Sequence, residues 1–367
     1  METMLAVGII GLPNAGKSTL FNLLTAGEAE VSAYPFTTID GNVGMVPVPD
    51  PRLDRLRRLL EPEETTPCRI RFVDIAGLVE GAHKGEGLGN RFLGEIRKVD
   101  ALVHLLRCFE QPEVVHVTGS IDPLRDAGTV ETELALADLE VVERAIVKRR
   151  KQAKSDPANV VAELERLEQL GRYLGRGEPI RALGLDEAAL RETKALGLLT
   201  GKPQIYVANL GEEQMSDPEE ALALIAGLGA GDRPAEALAI SAKIEWELLQ
   251  LEADERDEFM AELGIESSGL DRLIEASFRY LGLIRFYTVV HGKLRAWEVA
   301  DGSSAREAAG RVHTDMERGF VRAQVAGAEE LLEAGGMQEL HRHGRLRTEG
   351  RDYRVTDGDV IEFLFTG

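Results

Sequence analysis

Residues 11–18 read Gly-Leu-Pro-Asn-Ala-Gly-Lys-Ser, an ungapped match to G-x-x-x-x-G-K-[ST]. The motif works only where a strand runs into a tight turn and then a helix, because the backbone N–H groups of the turn must converge on one phosphate. Both flanks fit. Residues 4–10 are an apolar, strand-like run, and residues 17–24 have helical character. The amino-terminal part is therefore committed to an α/β fold with a ligand at the carboxyl ends of parallel strands. Asn14, Ala15, Gly16, Lys17, Ser18 and Thr19 are the expected phosphate contacts. Lys17 bridges the β- and γ-phosphates as the principal catalytic cation, and Ser18 offers its hydroxyl to Mg²⁺.

Further strand-like runs at 69–74, 101–108, 204–208 and 237–241 alternate with helical patterns, which predicts right-handed βαβ units. Residues 42–48 read as an edge strand, since Pro47, Pro49 and Pro51 exclude a central position just beyond it. Roughly 80 residues separate the third and fourth parallel strands, too many for a loop. Leu134, Leu139, Val142 and Ile146 within 129–154 predict a long amphipathic helix. Ser155-Asp156-Pro157 stops it, and helical periodicity resumes over 160–174. The expected object is a helical hairpin. From about residue 284 short β-rich runs surround one helix at 303–318, an α+β module with a turn at 355–359.

A net charge of −20 argues against a protein that coats polyanions with its whole surface. Two basic runs, 148–154 and 341–347, could nonetheless be RNA contacts, and solvated or helix-end charges explain them equally well. No segment approaches the roughly 20 apolar residues of a membrane span, so no membrane partner is expected. The first ten residues lack a cationic leader, and a cytoplasmic location is the expectation. Cys68 and Cys108 have neither metal-binding nor redox spacing.

Residues 72–77 read Phe-Val-Asp-Ile-Ala-Gly, a strand ending in D-x-x-G about 60 residues after the first motif. Asp74 would hold Mg²⁺ through water, and the Gly77 N–H could sense the γ-phosphate. Between the two motifs lies Tyr34-Pro35-Phe36-Thr37-Thr38-Ile39, where Thr38 could complete the metal shell only in the triphosphate state. Base recognition in switch-type P-loop proteins uses N-K-x-D. Here Asn209-Leu210-Gly211-Glu212 loses the lysine and lengthens the carboxylate, which bears directly on ATP versus GTP. Ser241-Ala242-Lys243 supplies the last base-lining loop. Leu78 stands where many small GTPases place the glutamine that orients water, leaving His83 and His116 as candidates for that task.

With these residues assembled, the chain resembles the YchF family of Obg-like ATPases, translation-factor-class P-loop NTPases, over nearly its whole length. The marks are the runs at 11–19, 34–39, 74–79, 85–90, 107–110, 209–212 and 308–315. The resemblance implies a parallel-sheet G domain at 1–121 and 201–282, a helical-hairpin insertion at 122–200, and a TGS domain of β-grasp type at 283–367. It further implies a Mg²⁺-dependent preference for ATP over GTP and association with ribosomes. By motif, Leu210 contacts the base through its backbone, and the histidine proposed for hydrolysis falls on His116. The chain departs from the family at Asp40-Gly41-Asn42, where acidic-Pro-Asn is usual.

The expected activity is a nucleoside triphosphatase switch. Two alternatives stand beside it: a GTPase in which Glu212 still reaches guanine, and a nucleotide-sensing scaffold on ribosomes or RNA with little turnover.

Overall fold

The computed structural model describes residues 5–26, 42–76, 88–111, 114, 116–153, 157–228, 235–262, 265 and 267–366. Along the chain run β1 (Ala6–Ile10), α1 (Lys17–Ala26), β2 (Val43–Pro47), α2 (Pro51–Leu60), β3 (Glu64–Thr66), β4 (Arg69–Asp74), α3 (Leu88–Arg97) and β5 (Ala101–Arg107). Then come α4 (Pro123–Ala153), α5 (Pro157–Leu174), α6 (Glu187–Leu196), β6 (Gln204–Asn209), α7 (Glu219–Ala226), β7 (Ala237–Ile240), α8 (Ala242–Leu248), α9 (Ala253–Glu262) and α10 (Gly269–Tyr280). The remainder comprises β8 (Leu283–Val290), β9 (Lys293–Ala300), α11 (Ala305–Val312), α12 (Thr314–Arg318), β10 (Phe320–Gly327), α13 (Ala328–Ala334), α14 (Met337–Arg342), β11 (Arg347–Glu349) and β12 (Asp359–Phe365).

Two compact units result, 1–45 with 71–273 and 46–70 with 274–367. The first is built on a sheet of order β2-β4-β1-β5-β6-β7. Its central strands pair in parallel, with Ile9 opposite Asp74 and Val103, and Leu106 opposite Ala208. Every residue of β1, β5 and β6 is buried, as strands covered on both faces require. β2 takes the edge, where the sequence placed it. Ile10, Leu102 and Ile75 pack with Phe92 and Ile96 of α3 and with Val130 and Leu134 of α4.

Helix α4 begins six residues before the start expected from periodicity, because its first turns belong to this core rather than to the projecting part. Pro123 sits at its start, where a missing N–H costs nothing. α4 and α5 then pair, with Val142, Leu170 and Leu174 buried between them. Two polar anchors tie the root of the hairpin to the sheet. Asp138 accepts from the Leu199 and Thr200 N–H groups, each at 2.8 Å, and from the Thr200 hydroxyl at 2.7 Å. Glu131 accepts from Arg181 at 2.5 Å, Gln204 at 2.7 Å and Tyr206 at 2.8 Å. Burial alone would raise the Glu131 carboxyl, but Arg181 holds it below its usual range. In the same cluster His104 is wholly buried, and burial pulls its pKa down to about 4, so it is neutral at physiological pH.

The second unit is a mixed sheet, β11-β10-β12-β8-β9-β3, with α11 against one face. β8 and β9 form an antiparallel hairpin, and β12 returns parallel to β8. Phe286 centres the core, edge-on to Phe363 at 5.9 Å and stacked with Trp297 at 6.4 Å. The helix expected over 303–318 is two helices. Ser304 and Glu307 form a capping box for α11, and His313 then turns extended, at φ −161°, and caps α12 by accepting from the Asp315 N–H.

Residues 46–70, expected within the 1–121 segment of the G domain, pack in this second unit. Asp50 caps α2 and accepts from the Tyr287 hydroxyl at 2.7 Å. Arg52 pairs with Asp357 at 2.7 Å and Arg55 with Glu329 at 2.8 Å, while β3 pairs with β9.

Candidate nucleotide-binding site

The turn after β1 has the backbone its motif demands. Gly11 and Gly16 adopt φ +148° and +98°, and Asn14 is left-handed at φ 63°. A Cβ at Gly11 would lie 2.4 Å from the Leu105 carbonyl oxygen, and one at Gly16 would lie 2.6 Å from Asn209 Nδ2, so no other residue fits. Ala15 is buried, whereas Asn14, Ser18 and Thr19 are exposed around the turn. Lys17 starts α1 and is only 7% exposed, its Nζ donating to the Leu12 carbonyl at 2.9 Å.

Burial pulls the Lys17 ammonium down to about 8, with Asp74 pushing the other way. Nucleotide phosphates at this position favour the charged form and raise that pKa again. The sign follows: near pH 8 about half of the lysine is neutral before binding, so binding takes up about half a proton. Titration calorimetry in buffers of different ionisation enthalpy measures this uptake. It vanishes in Lys17→Met, and an uptake unchanged by that substitution would assign the proton elsewhere.

Ser18 Oγ donates to Asp74 Oδ2 at 2.8 Å, and Asp74 Oδ1 is buried with no partner among the described residues. A hydroxyl beside a carboxylate with one free buried oxygen is a donor set suited to Mg²⁺, which keeps waters and phosphate oxygens in its remaining positions. Thr38, Gly77, Leu78 and His83 lie outside the described residues.

Asn209, at the end of β6, ties three segments together. Its Nδ2 donates to the Ala15 carbonyl at 3.0 Å, and its Oδ1 accepts from the Ala242 N–H at 3.3 Å. The Leu210 N–H donates to the Ile240 carbonyl at 2.8 Å. That leaves the Leu210 carbonyl as the backbone acceptor at this position, of the kind that suits the exocyclic amino group of adenine. Glu212 is paired with Lys243. Ser241 Oγ, at the same corner, is buried without a partner among the described residues. Gln214, which the sequence reading passed over, accepts from the Gly211 N–H at 2.8 Å and donates to the Cys108 carbonyl at 3.0 Å. An amide side chain three residues after Gly211, just beyond the end of β6, is the trace of this in the sequence.

His116 is 8% exposed and engaged at both ring nitrogens. Nε2 lies 2.8 Å from Asp126 Oδ2, and Nδ1 accepts from the Thr118 N–H at 3.2 Å. Asp126 is itself held by Arg125, Nη2 to Oδ1 at 3.0 Å. Because the carboxylate only accepts, Nε2 carries the proton and Nδ1 is the acceptor. Arg107 steadies the intervening loop through the carbonyls of Phe109 at 3.2 Å and Val114 at 2.9 Å.

Charges in both basic runs are answered by acids. Arg149 and Arg150 pair with Glu163 and Glu168 of α5, at 2.6 and 2.7 Å. Arg342 pairs with Glu339 at 2.7 Å, and Arg347 lies 3.6 Å from Asp359. No helix among the described residues is long and apolar enough to cross a membrane.

A family model described as a 50S ribosome-binding GTPase matches residues 6–143. A second, for the carboxyl-terminal domain of YchF GTPases and described as a protein of unknown function, matches 283–366. The chain is 47% identical over 363 residues to the ribosome-binding ATPase YchF of Bacillus subtilis, covering 98% of this chain and 99% of that protein. It is 44% identical over 358 residues to the protein of the same name in Escherichia coli O157:H7, covering 98% of each. A solved structure of the Schizosaccharomyces pombe YchF GTPase superposes with a TM-score of 0.88 at 31% identity, covering 98% of this chain and 97% of that one.

Proposed function

Because the chain belongs to the YchF family, we propose that it is a Mg²⁺-dependent nucleoside triphosphatase that takes ATP in preference to GTP and works as a cytoplasmic, ribosome-associated switch. The observation that carries the base preference is the loop after β6. Its Leu210 N–H is committed to the sheet, its Leu210 carbonyl is left to accept, and its Glu212 carboxylate is paired with Lys243. Guanine offers two adjacent donors that ask for a free carboxylate, whereas adenine offers one amino group and one acceptor.

In this reading Asn14 to Thr19 cradle the phosphates, and Lys17 exchanges the Leu12 carbonyl for phosphate oxygens. Asn209 keeps the phosphate loop and the Ala242 end of the base pocket in register. Ser18, Asp74 and Thr38 would hold Mg²⁺, which supplies charge neutralisation on the phosphates when bound. The Gly77 N–H senses the γ-phosphate. His116 orients the attacking water through Nδ1, once Thr118 gives up that position. Its ring is already fixed by Asp126 in the tautomer this task needs. The helical hairpin at 122–200 and the TGS domain at 283–367 carry the ribosome and RNA contacts.

Competition between ATP and GTP for nucleotide-free protein tests the base preference. ATP is expected to bind several-fold tighter, and a GTP preference above about tenfold, or 1.4 kcal/mol, would replace the ATPase reading with a GTPase. Occupation of the acceptor nitrogen of His116 by Thr118 favours slow turnover, and in its extreme form the nucleotide-sensing scaffold.

A further inference from the structure

We infer that Lys243 is a specificity-determining residue: by pairing with Glu212 it withdraws the carboxylate at the base-reading position from guanine. The inference rests on the nucleotide-site reading above and deepens it. Its basis is a set of contacts at a single corner of the first unit.

Lys243 occupies the second position of α8, and its Nζ donates to Glu212 Oε2. Glu212 stands at the place where an aspartate would accept from guanine N1–H and N2–H. It can reach only as far as its loop allows, and that loop is held. The Leu210 N–H donates to Ile240, the Gly211 N–H to Gln214, and the Gln214 amide returns to the Cys108 carbonyl. The Glu212 backbone is therefore fixed from both sides, and the remaining freedom lies in its side chain. A charge-assisted bond to an ammonium is among the stronger contacts open to a carboxylate. To accept from guanine, Glu212 must give it up or share it. Adenine makes no such demand, because its amino group is answered by a backbone carbonyl and its N1 has no hydrogen to offer. A carboxylate facing adenine N1 would meet a lone pair, so the same ion pair also removes a repulsive contact.

The size of the effect follows from exposure. The side chains of Lys243 and Glu212 are 65% and 43% exposed, so solvent screens the pair and leaves a bias of about fivefold in relative affinity. Lys243 thus tilts the preference set by the loop rather than creating it.

The experiment measures dissociation constants for ATP and GTP, with Mg²⁺, on the full nucleotide-free chain and on Lys243→Met, Lys243→Arg and the double variant Lys243→Met with Glu212→Gln. Lys243→Met keeps the aliphatic stem and frees Glu212, and the ratio of affinities is expected to move toward GTP by about fivefold. Lys243→Arg keeps a cation on Glu212 and holds the wild-type ratio. The double variant loses the gain, because the freed group is no longer an anion. A loss shared equally by both nucleotides leaves the ratio in place and overturns the inference, as does a shift that survives Glu212→Gln. The wild-type ratio alone judges the ATP preference, and the change on substitution alone judges Lys243, so either can fail without the other.

Discussion

Lys17→Met lowers single-turnover ATP hydrolysis by about a thousandfold at saturating nucleotide, a loss of ~4 kcal/mol of transition-state stabilisation. The lysine is the cation that the fold places at the phosphate turn among the described residues, held by the Leu12 carbonyl and buried to 7% exposure. Methionine preserves the stem and the packing of α1 but removes the charge. The same substitution relieves a buried ammonium whose pKa burial has pulled down to about 8. A folded pKa below the unfolded value means the charge costs stability at any pH below about 8, a cost that fades as pH rises toward 10.5. Nucleotide-free Lys17→Met is therefore expected to unfold at no lower urea concentration than wild type at pH 7 while failing in turnover. Hydrolysis within tenfold of wild type would remove Lys17 from its assigned role. A collapse of stability would instead make the lost activity a folding effect.

How much of this could be read from the sequence depends on how local each determinant is. The phosphate turn was legible because one strand, one turn and one helix specify it, and Gly11 and Gly16 have no substitutes against Leu105 and Asn209. The edge position of β2 was legible from Pro47, Pro49 and Pro51. The α/β sheet, the hairpin and the carboxyl-terminal α+β unit followed from changes in hydrophobic period. The membership of 46–70 in the second unit was not legible, because it is decided by partners far away in sequence. Asp50 finds Tyr287, Arg52 finds Asp357 and Arg55 finds Glu329. The break at His313 was hidden by helical periodicity that continues through it, and only the backbone reveals the change of direction.

Within the site, the sequence supplied residue types and the fold supplied their engagements. Glu212 reads as a lengthened carboxylate that could still reach guanine, and only the fold reveals Lys243 paired with it. His116 reads as a free imidazole until Asp126 and Thr118 account for both nitrogens. The basic run at 148–154 reads equally as a solvated helix end or an RNA contact, and only the fold reveals that Arg149 and Arg150 pair with Glu163 and Glu168 of α5. In each case the missing information was the identity of a neighbour across a turn or between elements, which no local pattern encodes.

Asp138→Ala destabilises the first unit by about 3 kcal/mol, the largest stability loss expected from a single polar substitution here. Asp138 is fully buried on α4 and is the acceptor for three donors at the root of the hairpin, the N–H groups of Leu199 and Thr200 and the Thr200 hydroxyl. Alanine leaves all three without a partner in an interior that water does not reach, and each buried orphan costs about 1–3 kcal/mol. The full sum is not expected. Burial raises the Asp138 carboxyl above its usual range despite those three bonds, so removing a desolvated carboxylate returns part of the loss. The sign of the pH dependence follows from the same shift. A raised folded pKa makes the wild-type carboxylate costliest above that pKa, and the cost falls as pH drops through it toward 3.8. The penalty for alanine is therefore smallest above that raised pKa and grows as pH falls through it, where the wild-type group gains a proton. Urea unfolding over a pH series from neutrality downward checks both the size and the direction, with Trp246 on α8 in the first unit and Trp297 on β9 in the second as separate reporters. Only the transition seen by Trp246 should move. A shift below about 1 kcal/mol would mean that the return segment at 199–200 finds other acceptors, and the hairpin root would then be held by Glu131 and Arg181 instead.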